Sequence, residues 1–209
     1  DLLQINGNGT VLHGNIIDMK FKALKCEIVP LAKGSYEYRD IEKHALNTSK
    51  SSNPITVQNI YKVTRENEFS NYTSSMQNQQ LLFHGSKICN FVGLLSRGLM
   101  MPHVVVKSGG ARTDEGWLGN GIYFASEMTT SMQYTTQGHL GSRLMLVCRV
   151  ALGRVKDFER KQFGITSPPQ GYDSVRGVKR SPARDTDFID DEYVVYRQNQ
   201  QRIEYLIEF

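Results

Sequence analysis

The stretch Leu81-Leu82-Phe83-His84-Gly85-Ser86 restricts the fold more than any other. Three large apolar residues in a row ask for burial, and a histidine followed by glycine stops the run abruptly. That is the pattern of a buried strand ending in a tight turn, with Ser86 placed to cap a following helix. A strand end holds one polar side chain still while aiming it into a cleft. His84 is therefore the first candidate for a functional residue.

The rest of the chain is read around this strand. After Ser86, residues Ile88, Phe91, Val92 and Leu95 recur at helical spacing, and Gly98 sits where a helix C-cap belongs. Residues 143–152 (RLMLVCRVAL) are an almost unbroken apolar run, as expected of a central strand. Further strands are expected at 24–31 (LKCEIVPL), 55–64 (ITVQNIYKVT), Tyr193–Tyr196 and Ile203–Phe209. The last would carry Ile203, Tyr205, Ile207 and Phe209 on one face. A short helix is expected within 34–53, starting near Asp40 and packing Ile41, Ala45 and Leu46, and another within 65–80. Gly119–Ala125 reads as a glycine turn into a short strand. Ser126 then caps a second helix, on which Met128, Ser131, Met132 and Thr135 share a face before Gly138. Ser49–Pro54, 102–116 and 166–191 read as loops, and residues 1–20, with Gly7, Gly9 and Gly14, as a loose lead-in or terminal hairpin.

Strands dominate, and they do not alternate with helices, which argues against a doubly wound parallel sheet. The expected class is α+β, with mainly antiparallel sheets packed together and a few short flanking helices. A lead-in at 1–23 precedes one domain at 24–209. The first residue is Asp1 rather than Met, as in a piece of a longer protein.

Several function classes fall away. The formal charge is +4 and scattered, which suits an anionic small molecule but not a nucleic-acid groove. Cys26, Cys89 and Cys148 are an odd number, mutually distant and set among apolar residues. They read as reduced core or near-core thiols of an intracellular protein. Neither CxxC nor HExxH occurs, so no metal is expected. No apolar run is long enough to span a membrane, and no signal peptide is evident. Three Asn-x-Thr/Ser matches, at Asn8, Asn47 and Asn71, are therefore read as chance. Gly119-x-Gly121 lacks the third glycine of a dinucleotide fingerprint. The acidic trio Asp190-Asp191-Glu192 reads by itself as a solvated turn.

What remains is His84-Gly85-Ser86, Tyr123 with Ser131 and Tyr134, and Glu192 at the head of a closing strand. Singly, each has an ordinary structural explanation. Together and in this order they carry a resemblance. LLFHGSKICNFVGLLSRGL and GNGIYFASEMTTSMQY are similar to the two signatures of the poly(ADP-ribose) polymerase catalytic domain. DEYVVY with RIEYLIEF resembles its last strands, which carry the glutamate of a His-Tyr-Glu triad. PPQGYDSVRGVK and TDFIDDEYVVYRQNQ are most similar to the vault-associated branch.

The resemblance implies a split-sheet ADP-ribosyltransferase fold that takes NAD as substrate, without a metal. It implies that the Gly85 backbone binds the nicotinamide carboxamide, with Ser131 adding a hydrogen bond. Tyr134 and Tyr123 would flank the ring, and His84, with Ser86 beside it, would meet the adenosine ribose. Glu192 would be the catalytic carboxylate, completing the triad with His84 and Tyr123. The implied reaction moves ADP-ribose onto protein acceptors, the chain itself included, releases nicotinamide and extends poly(ADP-ribose). The alternatives are transfer of single units only, or an inactive module that binds NAD or ADP-ribose. Thr130 stands where some polymerases have a lysine, and Met100 where an arginine is expected near the adenosine end. The loop between Gly171 and Asp191 is shorter than in founding members. Residues 1–23 are too short for the family's helical regulatory domain, which would lie before Asp1 in a larger parent protein.

Overall fold

The apolar run at 143–152 forms β5 (Leu144–Ala151), the axis of the architecture. Met145, Leu146, Val147, Cys148, Val150 and Ala151 are fully buried, so both faces of the strand are covered and no alternation is needed. β5 pairs antiparallel on one side with β3 (Gln79–Gly85) and on the other with β9 (Gln201–Glu208). The computed structural model describes residues 15–49, 54–107, 109 and 116–209. The glycine-bearing residues 1–14, the centre of the expected 49–54 break and the tract around Gly110 lie outside them.

The remaining strands are β1 (Glu27–Pro30), β2 (Asn59–Thr64), β4 (Ile122–Ala125), β6 (Val155–Phe158), β7 (Ser174–Gly177) and β8 (Glu192–Val195). They form one mixed sheet in the order β1-β2-β9-β5-β3-β4-β8-β7-β6, antiparallel except for β6 with β7. The sheet is split at its middle. β3 registers with β5 along all of Gln79–Gly85, but with β4 through the single pair Phe83 and Ala125. One core cluster draws on both halves, combining Leu82, Leu146, Cys148 and Val150 with Phe124, Val194, Val195 and Phe188. On the opposite face α2 (Tyr36–Asn47) lays Tyr38, Ile41 and Ala45 over Ile60, Phe83, Met145, Val147 and Ile207.

Five further α-helices among the described residues are short: α1 (Ile16–Ala23), α3 (Glu66–Asn71), α4 (Phe91–Arg97), α5 (Pro102–Lys107) and α6 (Met128–Met132). Several expectations are corrected. α1 takes up the lead-in from Ile16 onward, and α5 the first half of the loop at 102–116. α2 begins before Asp40, because the Ser35 hydroxyl accepts from the Tyr38 N–H at 3.1 Å, and Leu46 faces out. Ser86 and Ser126 cap nothing. The chain after β3 passes through a 3₁₀ turn at Ile88–Asn90, and Ser86 Oγ instead accepts from Asn90 Nδ2 at 2.9 Å. Glu127 occupies the N-cap of α6, its side chain making no capping bond to the helix. Cys89 is exposed, unlike buried Cys26 and Cys148.

β6 and β7 arise where none was expected, within and before the long loop. They are four residues each and half polar. Their pairing brings Asp157 and Arg176 into register, where the carboxylate and guanidinium bond at 2.6 and 2.9 Å. β9 also departs from simple alternation. Val147 faces Tyr205 but Cys148 faces Ile203, so Glu204 is the extra residue of a bulge. Ile203 and Leu206 therefore enter one core cluster, and Tyr205, Ile207 and Phe209 the other.

Candidate active site

The split in the sheet makes the site. Beyond the Phe83–Ala125 pair the β3–β4 ladder stops, and the strand ends His84-Gly85 and Tyr123-Phe124 separate around a cleft of about 360 Å³. A side chain replaces the lost backbone bond: His84 Nδ1–H donates to the Tyr123 carbonyl at 2.8 Å. That makes Nδ1 a protonated donor, because a carbonyl can only accept. The His84 ring lies tilted against Phe124, with centroids 5.8 Å apart.

All the residues singled out from the sequence, His84, Gly85, Ser86, Tyr123, Ser131, Tyr134 and Glu192, line this one cleft. His84, Gly85 and Ser86 come from the end of β3 and the turn after it, on one half of the sheet. Tyr123 comes from β4 and Glu192 from the first position of β8, where it pairs with Ala125 on the other half. Ser131 and Tyr134 come from α6 and the turn that follows it. Tyr134 is about half exposed at the rim.

Gly85 is required by packing. A Cβ added there would lie 1.8 Å from the Ser131 carbonyl oxygen, so the tip of β3 and α6 touch through bare backbone. The buried Ser131 hydroxyl lies 3.0 Å from the Phe83 carbonyl and donates to it. The Tyr123 hydroxyl is pinned twice, donating to the Gly119 carbonyl at 2.8 Å and accepting from the Leu118 N–H at 2.9 Å. Tyr196 grips the same loop, its hydroxyl donating to the Leu118 carbonyl at 2.6 Å. Burial pushes the Tyr196 phenol well above its usual range, which keeps it a donor.

The sequence did not single out Trp117, Gln133, Ile189 or Asp190, which also line the cleft. Trp117 stands edge-on to Phe188, with Lys161 Nζ 3.5 Å from its ring centre. Asp190 is buried, against its reading as part of a solvated turn. It lies in the bend before β8, outside the reach of strand periodicity, so no local pattern marked it. Among the described residues no group of three or more His, Cys, Asp or Glu is placed to hold a metal ion, and no helix is long and apolar enough to cross a membrane.

A split, largely antiparallel sheet with a His, a Tyr and a Glu around the split defines an α+β transferase fold of the ADP-ribosylating kind. Residues 35–209 match the family described as the Poly(ADP-ribose) polymerase catalytic domain, and the chain belongs to that family. The chain is 42% identical over 191 residues to Protein mono-ADP-ribosyltransferase PARP4 of Mus musculus, and 43% identical to that of Homo sapiens, each match covering 91% of the chain. It is 33% identical over 182 residues to Poly [ADP-ribose] polymerase 1 of Arabidopsis thaliana, which covers 82% of the chain and 18% of that protein. The chain spans about a tenth of the length of the first two relatives (10% and 11%).

Proposed function

We propose that this chain, with its catalytic domain at 24–209, transfers ADP-ribose from NAD to protein acceptors, itself included, and releases nicotinamide. The observation that carries the reading is the meeting of His84, Tyr123 and Glu192 from opposite halves of the split sheet in one cleft. The cleft volume suits part of a dinucleotide. The contact between Gly85 and Ser131 leaves backbone groups, not side chains, to meet a flat carboxamide. In this reading Gly85 and Ser131 hold the carboxamide, and Tyr123 and Tyr134 flank the ring. His84 and Ser86 orient the adenosine ribose. Cleaving the bond between nicotinamide and ribose develops positive charge on the sugar, much as glycoside cleavage does. The Glu192 carboxylate stabilises that charge from a fixed position at the head of β8.

Two observations weigh on the product. Glu192 is present and can polarise the hydroxyl of a bound ADP-ribose, which supports chain extension. The relatives at 42% and 43% identity are named mono-ADP-ribosyltransferases, which supports single units. We take single-unit transfer as the principal reading and elongation as the second. We also take the chain to be the catalytic unit of a larger intracellular protein, its buried Cys26 and Cys148 being unpaired thiols. Labelled NAD resolved on a gel tests all of this. Discrete automodification is expected, with nicotinamide release reduced about 10²–10³-fold in Glu192→Gln. A smear that Glu192→Gln collapses to a discrete band would establish elongation. Saturable binding of benzamide without any nicotinamide release would sink the transferase reading and leave a binding module.

A further inference from the structure

The width of the cleft is set by something other than the sheet, because β3 and β4 register at one pair only. The structure assigns that task to α6 and to a carboxylate outside the triad. We propose that Asp190 is a positioning residue, which ties α6 to the strand carrying Glu192 through a hydrogen bond from Thr130. This rests on the reading of the cleft given above.

α6 is five residues long, and its N-terminus has no side-chain cap, so its own hydrogen bonds hold it weakly. Its first residue, Met128, is buried in the core, and the Met128 N–H donates to Thr48 Oγ1 at 3.3 Å. Toward the cleft it is anchored from two adjacent positions, which point about 100° apart on a helix and so reach different neighbours. Ser131 bonds back to the Phe83 carbonyl on β3, at 3.0 Å. Thr130 Oγ1–H donates forward to Asp190 Oδ2, at 2.6 Å, two residues before Glu192. α6 thus bridges the two halves of the sheet across the split. One bond sets its distance from the β3 wall and the other its distance from the β8 wall.

Asp190 is itself held. Its side chain is about one-tenth exposed, and a carboxylate so buried needs compensation. Lys179 Nζ lies 3.4 Å from Asp190 Oδ1 and 3.6 Å from Glu127 Oε1, on the residue that opens α6. The Lys179 backbone N–H donates to Asp191 Oδ1 at 2.8 Å, and the Ser126 N–H to the Asp191 carbonyl at 3.4 Å. Asp190 and Glu192 thus stand on the cleft wall, with Lys179 between Asp190 and Glu127 behind it. Thr130 is what makes the arrangement specific, since its short hydroxyl reaches Asp190 at 2.6 Å along the cleft wall.

The test compares Thr130→Val, Asp190→Asn and Asp190→Ala in nicotinamide release from NAD, in thermal melting and in benzamide binding. Benzamide affinity is read from the fluorescence of Trp117, the one tryptophan of the chain, which lines the cleft. Thr130→Val keeps the shape and deletes the donor. It is expected to lower kcat about ten- to hundredfold, the scale of a misplacement near 1 Å, with a smaller rise in KM. Benzamide should bind several-fold more weakly. Asp190→Asn keeps an acceptor for Thr130 and should recover most of what Asp190→Ala loses. Wild-type kcat/KM and benzamide affinity in Thr130→Val would overturn the proposal. So would an Asp190→Asn variant as impaired as Asp190→Ala. If the unmodified chain binds benzamide but releases no nicotinamide, the transferase reading falls and the coupling is decided by benzamide affinity, where equality of Thr130→Val with wild type overturns it.

Discussion

Replacing Gly85 by alanine adds one methyl group at the closest backbone contact in the site. The new Cβ would sit 1.8 Å from the Ser131 carbonyl oxygen and 2.8 Å from its carbon. An ordinary C···O approach is about 3.3 Å, so β3 and α6 must separate by roughly 1.5 Å. Both partners are backbone, and no rotamer change relieves the clash. That separation also stretches the 3.0 Å bond from Ser131 to the Phe83 carbonyl past its useful range. The strain should cost about 1–3 kcal/mol, and the orphaned buried groups about 1–3 kcal/mol more. At about 2–4 °C per kcal/mol for a chain of this size, the melting temperature should fall by roughly 4–24 °C. Nicotinamide release should fall by about 10² or more where the fold survives. A bulkier Gly85→Trp would lose activity too, but it could not separate filling of the site from displacement of α6. Gly34→Ala is the control. Nothing lies within 4 Å of its added Cβ, and Gly34 is not among the positive-φ glycines. Its melting temperature should stay level or rise slightly. Differential scanning calorimetry and a nicotinamide-release assay read both variants. Gly85→Ala with a wild-type melt and wild-type turnover would show that β3 and α6 are not in backbone contact.

Three further outcomes are expected. Tyr123→Phe strips the Leu118 N–H and the Gly119 carbonyl of their shared partner, and should cost about 1–3 kcal/mol in urea unfolding while raising KM for NAD; an unchanged midpoint would mean that the hydroxyl does not hold the loop. Glu68→Ala leaves the buried Arg65 guanidinium without its carboxylate and the Ile203 N–H at the bulge without its acceptor, and should cost about 3–5 kcal/mol by the same measurement. His44, stacked 4.8 Å from Phe83, has its pKa lowered chiefly by burial. The unfolded chain therefore takes up the proton first, near pH 6.5, and folding stability should drop as the pH falls below that value, by at most about 1.4 kcal/mol per pH unit. His44→Gln should flatten this dependence in urea midpoints taken between pH 5 and 8, and an equally steep curve would place the titration elsewhere.

The parts of the fold visible in the sequence are those set by period and local chemistry. Leu81–Phe83 and 144–152 could be read as strands because burial on both faces leaves almost every position apolar, Arg149 being the exception. The site residues could be collected because three short patterns stand in a fixed order. Long-range pairing was not visible in the same way. Alternation alone puts Ile203 beside Tyr205, and the bulge at Glu204 that parts them depends on Cys148, which is far away in sequence. Glu68 then supplies the acceptor that the displaced Ile203 N–H needs. β6 and β7 carry too few apolar residues to show themselves; β7 is held by its full pairing with β8 and the buried Val175, and Asp157 meeting Arg176 joins β6 to it. Asp190 looked solvated because its compensating partners, Thr130 and Lys179, lie on other elements. The same reason reaches the opening stretch. The sequence suggested that His84 ends its strand because a glycine turn follows. The structure shows β3 still paired with β5 through Gly85, while the ladder to β4 has already failed. His84 is positioned by that one-sided failure, with its Nδ1–H on the Tyr123 carbonyl where a backbone bond would otherwise lie. A histidine at the end of an intact two-sided ladder would have no opening to face, so the split makes this residue available for chemistry, and the turn after it does not.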